Sequence, residues 1–308
     1  MILRFPAKSL GLLIAAWSAA ACDDPIKNTE IVEEPRVLAA RVEVEGDPGR
    51  AAPLPGETTR VRFLVAAPAL EPALGFALVA CRAAPSNVGL GGCAEPVFAR
   101  QSLVDPAPGA PEIAFELPQP SQEEEVPRLL VKGVICSNGA PQLADDPSTC
   151  VSGDATMAVT LEFDLATETD SNLNPSFDAA ELTFDGATFA PAATLEPECA
   201  GGALLEVRAG SSHRIGLRFD ESTRDALATT SDNAPPVESL LLSHFTSSGE
   251  LERAFSPIAP DSPDIRTDLD WKAPGDAGAG GLLVRFWFVV RDLRGGSDFV
   301  ERALCVVP

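Results

Sequence analysis

The chain carries only two histidines, His213 and His244, and each has serine close by: Ser211 and Ser212 just before His213, Ser243 directly before His244. An imidazole within hydrogen-bond reach of a hydroxyl is the minimum for base-assisted nucleophilic chemistry. Neither histidine lies in a G-x-S-x-G context or another tight turn that would present a nucleophile, so both read as hydrogen-bonded strand residues. Carboxylates are plentiful. Asp268 and Asp270, at i and i+2, share one face of a strand, and Glu123-Glu124-Glu125 form a run. Paired carboxylates suit general acid–base work, but 45 Asp and Glu produce such pairs by chance, and they read as solvated surface. Arg294-Gly295-Gly296 reads as a hairpin turn rather than a phosphate cradle, because no helix is expected after it. No residue set is assigned as catalytic. A hydrolase using a carboxylate pair or a Ser/His pair is the alternative, and it needs a cleft to assemble the groups.

Seven cysteines are the other reactive side chains. Setting Cys22 aside leaves an even set, Cys81, Cys93, Cys136, Cys150, Cys199 and Cys305, without a C-x-x-C pair. This favours disulfides in an oxidising compartment over a thiolate metal site. Loop closure favours Cys81 with Cys93 and Cys136 with Cys150, leaving Cys199 with Cys305. Cys81 with Cys136 is the rival, since both end strands that would be neighbours in one sheet.

The elements that must position these residues are strands. Val61, Phe63 and Val65 alternate with Arg60, Arg62 and Leu64; Met157, Val159, Leu161 and Phe163 alternate with Ala158, Thr160 and Glu162. Period two means one face in a core and one in water. Further strands are expected at 38–44, 74–81, 113–117 and 129–136, separated by Pro/Gly clusters. A second series follows at 180–184, 187–189, 204–207, 215–219, 239–245, 251–255 and 265–271, with a closing hairpin of 282–291 and 299–307. In that hairpin Leu282, Val284, Phe286, Phe288 and Val290 form the core phase, and Arg285, Trp287 and Arg291 the other, which a binding face or a covering neighbour would occupy equally well. The strand count and closing hairpin resemble immunoglobulin-like and fibronectin type III-like modules. The resemblance implies an all-β chain of two tandem β-sandwich domains, at 36–166 and 179–308, joined by a linker at 167–178. Within that linker Asp170-Ser171-Asn172-Leu173-Asn174-Pro175 is similar to the D-x-N-D-N calcium linker of cadherins, with Leu173 replacing its second Asp. By that resemblance Asp170, Asn172 and Asn174 are candidate calcium ligands. Otherwise no cofactor is implied.

The N-terminus sets location. Arg4 and Lys8 precede the apolar run Leu10–Trp17, then Ser18-Ala19-Ala20-Ala21 and Cys22. This is the order of a secretory signal peptide, residues 1–21, with an apolar run too short to span a bilayer. Cys22 behind small residues resembles the lipobox of bacterial lipoproteins, with Ala19 where the family usually has Leu. That implies lipidation of Cys22, and residues 22–35 then read as a tether of about 45 Å at full extension. Removing the signal leaves 21 basic residues against 45 acidic, a net charge of −24. Such a surface excludes nucleic-acid partners and disfavours lying flat on anionic lipid. The expectation is a non-enzymatic, membrane-anchored binding or structural module of the cell envelope. Its lipid would sit in the outer membrane rather than the inner, and its partner would be an envelope protein or glycan.

Overall fold

The structure is a computed structural model. It describes residues 29–68, 72–85, 91–117, 128–166, 172–191, 199, 204–227 and 237–308. The expected signal peptide, Cys22, Asp170 and Glu123–Glu125 lie outside the described residues. The chain is all-β, with 56% of the described residues in strands or bridges. Its one helical turn among the described residues is the 3-10 turn Glu221–Thr223, capped by the Asp220 side chain on Ser222 N.

Seven strands build the N-terminal sandwich: β1 (Arg36–Val44), β2 (Thr58–Ala66), β3 (Leu74–Ala83), β4 (Cys93–Ala107), β5 (Glu112–Glu116), β6 (Leu129–Ser137) and β7 (Ala155–Phe163). The order β1-β2-β5 faces the order β4-β3-β6-β7, the three-plus-four arrangement of an immunoglobulin-like fold. Their inward residues interdigitate in one core, among them Val42, Val61, Phe63, Phe76, Leu78, Ile113, Val131 and Val159. Alternation anticipates these positions, but not β4. This long edge strand contains Pro96 and Pro106, and nine of its fifteen residues are exposed. Its lack of an apolar period hides it, and an edge position tolerates its prolines.

Ten strands build the C-terminal sandwich. One sheet runs β10 (Leu205–Arg208), β17 (Ser297–Val307), β16 (Leu282–Arg291), β12 (Leu240–Thr246) and β14 (Phe255–Ile258). The other runs β13 (Glu250–Leu251), β15 (Arg266–Lys272), β11 (Ser212–Arg218), β8 (Glu181–Phe184) and β9 (Ala187–Thr188). Residues 251–255, expected as one strand, instead cross between sheets: Leu251 pairs with Trp271, and Phe255 with Ser243. Trp271 is fully buried, with ring centroids 6.2 Å from Phe184 and 5.0 Å from Phe286.

Between the sandwiches lies a seam. Trp287 and Val289, on the outer phase of β16, pack fully buried against Val32, Leu38, Ala39 and Ala66. A neighbouring sandwich therefore covers the phase that carries Arg285 and Arg291. Arg285 is 1% exposed; it binds Glu301 at 2.5 Å, donates to Ala67 O at 3.0 Å, and its guanidinium lies 5.0 Å from the Trp287 ring centroid. Such pairing offsets the desolvation of a buried charge. Arg291 donates to Leu38 O (2.6 Å) and Ser297 Oγ to Ala40 O (2.6 Å), while Arg41 pairs with Asp298.

The seam engages two segments expected as connectors. The described part of the linker is docked: Asn174 N donates to Gly49 O (2.6 Å), Ala51 N to Asn172 O (2.9 Å) and Phe177 N to Asp298 Oδ2 (2.8 Å). The far end of the expected tether is docked too. Val32 is fully buried and its N donates to Thr246 O at 2.8 Å.

Candidate functional site

The most chemically organised cluster lies where the turn after β10 meets the turn after β8. Asp185 and Gly186, both at positive φ (51° and 80°), close the β8–β9 hairpin in the way an Asp-Gly pair favours. Because Phe184 pairs with Ile215, that turn sits beside the start of β11. Ser211 and His213, two apart, point to one side. Ser211 Oγ lies 2.6 Å from His213 Nε2, and His213 Nδ1 lies 2.7 Å from Asp185 Oδ2. Asp185 Oδ1 accepts from Arg214 N at 2.9 Å. His213 stacks toward Phe184, with centroids 4.9 Å apart. Burial raises the Asp185 carboxyl, but the His213 bond, the Arg214 N–H and the imidazole charge outweigh it and hold it below its ordinary value. The cluster lines an open groove of about 580 Å³ walled by Phe184, Phe189, Leu205 and Val207.

The atoms match the Ser–His–Asp order of acyl-transfer triads, but the hydrogen-bond arithmetic differs. Ser211 Oγ also lies 2.5 Å from Arg208 O. A carbonyl only accepts, so the single hydroxyl proton goes to it, and His213 Nε2–H must then donate to Ser211. The Asp185 contact needs a proton on Nδ1 as well. All three short contacts are satisfied together only when both ring nitrogens are donors, and the serine is then not delivering its proton to a base. Nearby backbone donors are engaged: Ser211 N on Arg208 O, Gly210 N on Pro274 O and Ala209 N on Val307 O. An oxyanion needs such groups free.

Of the other candidate residues, His244 is fully buried, its Nε2 lies 2.9 Å from Ser256 Oγ, and burial reinforced by Arg253 lowers its pKa to about 4. Its partner is therefore Ser256 rather than Ser243, whose hydroxyl accepts from Arg291. Asp268 and Asp270 do share an exposed face, and Arg214 Nε binds Asp270 at 3.2 Å. The disulfides are the three local-first pairs, Cys81–Cys93, Cys136–Cys150 and Cys199–Cys305.

Of the two described candidate calcium ligands, Asn174 uses both amide atoms in joining the sandwiches, and Asn172 uses its Nδ2. Asn174 Nδ2 donates to Val42 O (2.7 Å) and its Oδ1 accepts from Ser297 N (3.0 Å). Asn172 Nδ2 donates to Asp292 Oδ2 (2.8 Å). Among the described residues Asn172 Oδ1 is buried without a hydrogen-bond partner, and no group of three or more His, Cys, Asp or Glu is placed to hold a metal ion.

Sequence reading gave no sign of the acidic nest beside Asn172. Glu238 and Asp292, 2% and 1% exposed, lie with Asp225 around Arg294. Glu238 Oε1 accepts from Asp225 N, and Asp292 accepts from Arg294 N and Gly296 N. Burial, with repulsion from Asp292 and Asp225, pushes Glu238 up to about 7; burial likewise raises Asp292. The nest braces the β16–β17 turn.

Fold and cysteines together define a class: an all-β, disulfide-stapled protein of immunoglobulin-like sandwich architecture. No protein-family model and no curated protein matches the chain. Among solved structures, 89% of the chain aligns with Salmonella alpha-2-macroglobulin reacted with methylamine, at 11% identity and TM-score 0.22. An equal share aligns with the native conformation of E. coli alpha-2-macroglobulin, at 9% identity and TM-score 0.22. The chain spans only 16% and 17% of those chains, and at this TM-score the likeness carries no argument about fold or function. No helix among the described residues is long and apolar enough to cross a membrane.

Proposed function

We propose that the chain is an exported lipoprotein of the cell envelope, held by acyl chains on Cys22, whose sandwiches serve as a rigid, non-enzymatic binding or structural module. The cysteine account carries the reading. Three disulfides consume six of the seven cysteines, and the seventh stands directly behind Ala19-Ala20-Ala21. Disulfides persist in oxidising compartments, and two or more acyl chains anchor where one is marginal. The outer membrane is the proposed location, and an envelope protein or glycan the proposed partner. Mass spectrometry of the mature N-terminus from a membrane fraction tests the anchor. The expected species begins at Cys22 with diacylglyceryl and N-acyl mass; an unmodified Cys22, or cleavage elsewhere, sinks it.

The Ser211–His213–Asp185 geometry favours one second reading, a serine hydrolase working on the adjoining groove. A fluorophosphonate probe separates the two. The non-enzymatic reading expects no adduct on Ser211. Labelling that disappears in His213→Gln establishes the hydrolase instead.

A further inference from the structure

The residues just ahead of β1 pair with the C-terminal sandwich, not with the N-terminal one that β1 builds. Thr246 N donates to Glu30 O (2.9 Å) and Val32 N to Thr246 O (2.8 Å), so Ile31 forms a parallel bridge to Thr246, the last residue of β12. On that edge of β12 the strand β14 pairs only with Leu240–Ser243. An open strand edge leaves N–H and C=O groups without partners, and beyond β14 this chain's own segment supplies them. Val32 is fully buried in the seam cluster with Trp287, Val289, Leu38, Ala39 and Ala66, and it belongs to neither sandwich core. Arg36 is where three parts meet. It stands on β1, its Nη2 donates to Thr29 O (2.6 Å), and its guanidinium lies 5.3 Å from the ring centroid of Phe245 on β12. Glu33, Glu34 and Pro35 connect the segment to β1, and both glutamates are exposed.

The fastening is light. Among the described residues, two backbone hydrogen bonds, the Arg36–Thr29 bond and one fully buried side chain hold the segment. Each sandwich, by contrast, rests on its own interdigitated core. Segments with few buried apolar contacts open at far lower free energy than the fold as a whole. Opening here unplugs the apolar part of the seam and disturbs neither core. The polar contacts further along β1 do not involve the segment: Ser297 Oγ on Ala40 O, and Asn174 between Val42 O and Ser297 N. They are placed to act as a hinge.

We infer that Glu30–Val32 is a releasable strap: docked on β12 it holds the two sandwiches as one body, and undocked it lets the seam open around Trp287 about the contacts at Ala40–Val42. Because the strap precedes β1, whatever takes hold of the chain ahead of it acts on the seam before it reaches either core. The reporter for this is built in. From Cys22 onward the chain has two tryptophans, Trp271 in the C-terminal core and Trp287 in the seam, both fully buried. Acrylamide quenching of that mature chain tests the strap. In Val32→Asp the Trp287 share of the emission is expected to quench several-fold more readily than in wild type, while the Trp271 share stays protected. Should Val32→Asp not fold, Val32→Ala reads the same split at smaller amplitude. Protection of both tryptophans in the folded variant overturns the strap, because the seam then holds without it. Equal exposure of both overturns it as well, because the segment then supports the whole fold and not the seam.

Discussion

Ser211, His213 and Asp185 show how a catalytic-looking set of atoms can serve a turn. The three side chains tie the β8–β9 hairpin to the entry of β11, and the serine proton is spent on Arg208 O. Asp185 is half exposed, so its contribution is modest, about 0.5–1 kcal/mol on the scale of exposed charge pairs. Because folding holds its carboxyl below the ordinary value, that contribution is present above the unfolded pKa and lost as pH falls through the folded one. Urea unfolding of Asp185→Asn against wild type should show a gap at pH 7 that closes in acid, as pH falls through the lowered folded-state value. A gap that widens on acidification would reverse the sign.

At the scale of elements, the acidic nest at the β16–β17 turn couples stability to pH. Glu238 titrates near 7 in the fold against 4.5 outside it, so the folded state holds an extra proton between those values. Stability from Glu238 is therefore full below about pH 4.5 and lost as pH rises through about 7, by at most roughly 3 kcal/mol. His244 acts oppositely: its folded pKa of about 4 lies below 6.5, so its share is lost as pH falls from 6.5 toward 4. The two nearly cancel in mild acid. Glu238→Gln should match wild type near pH 4 and exceed its melting temperature above pH 8; a constant difference across pH would place the proton elsewhere. The same turn depends on Gly296, where a Cβ would sit 2.2 Å from Asp292 Oδ2 and 2.8 Å from Leu173 O. Gly296→Ala is expected to cost about 1–3 kcal/mol by overpacking, read in the urea midpoint, whereas Gly295→Ala, with nothing within 4 Å, carries only the strain of φ 116°.

Over the whole molecule, the seam and the longest disulfide set the cooperativity. Cys199–Cys305 closes a separation of 106 residues, which the chain-entropy account values at about 4–5 kcal/mol. Replacing both cysteines with serine should lower the melting temperature more than opening Cys81–Cys93, whose separation of 12 is worth about 3 kcal/mol on the same account. Trp287, fully buried under the N-terminal sandwich, should cost about 3–5 kcal/mol as alanine. If the seam couples the sandwiches, calorimetry of wild type shows one transition and Trp287→Ala shows two. One unchanged transition in the variant would remove Trp287 from that role.

The strand periods, the closing hairpin and the even set of cysteines follow from sequence, because alternation and loop closure are local properties of a chain. Edge strand β4 does not, since its prolines and half-wet residues leave no apolar period to read. Nor could sequence tell that Trp287 and Arg291 meet another sandwich, that Asn172 and Asn174 spend their amides on a seam, that Asp185 completes a network with His213, or that Glu30–Val32 dock on β12. Each of those pairings joins residues far apart in the chain, some more than two hundred positions. Such partners are chosen by how the sheets close and pack, and only the tertiary structure decided them.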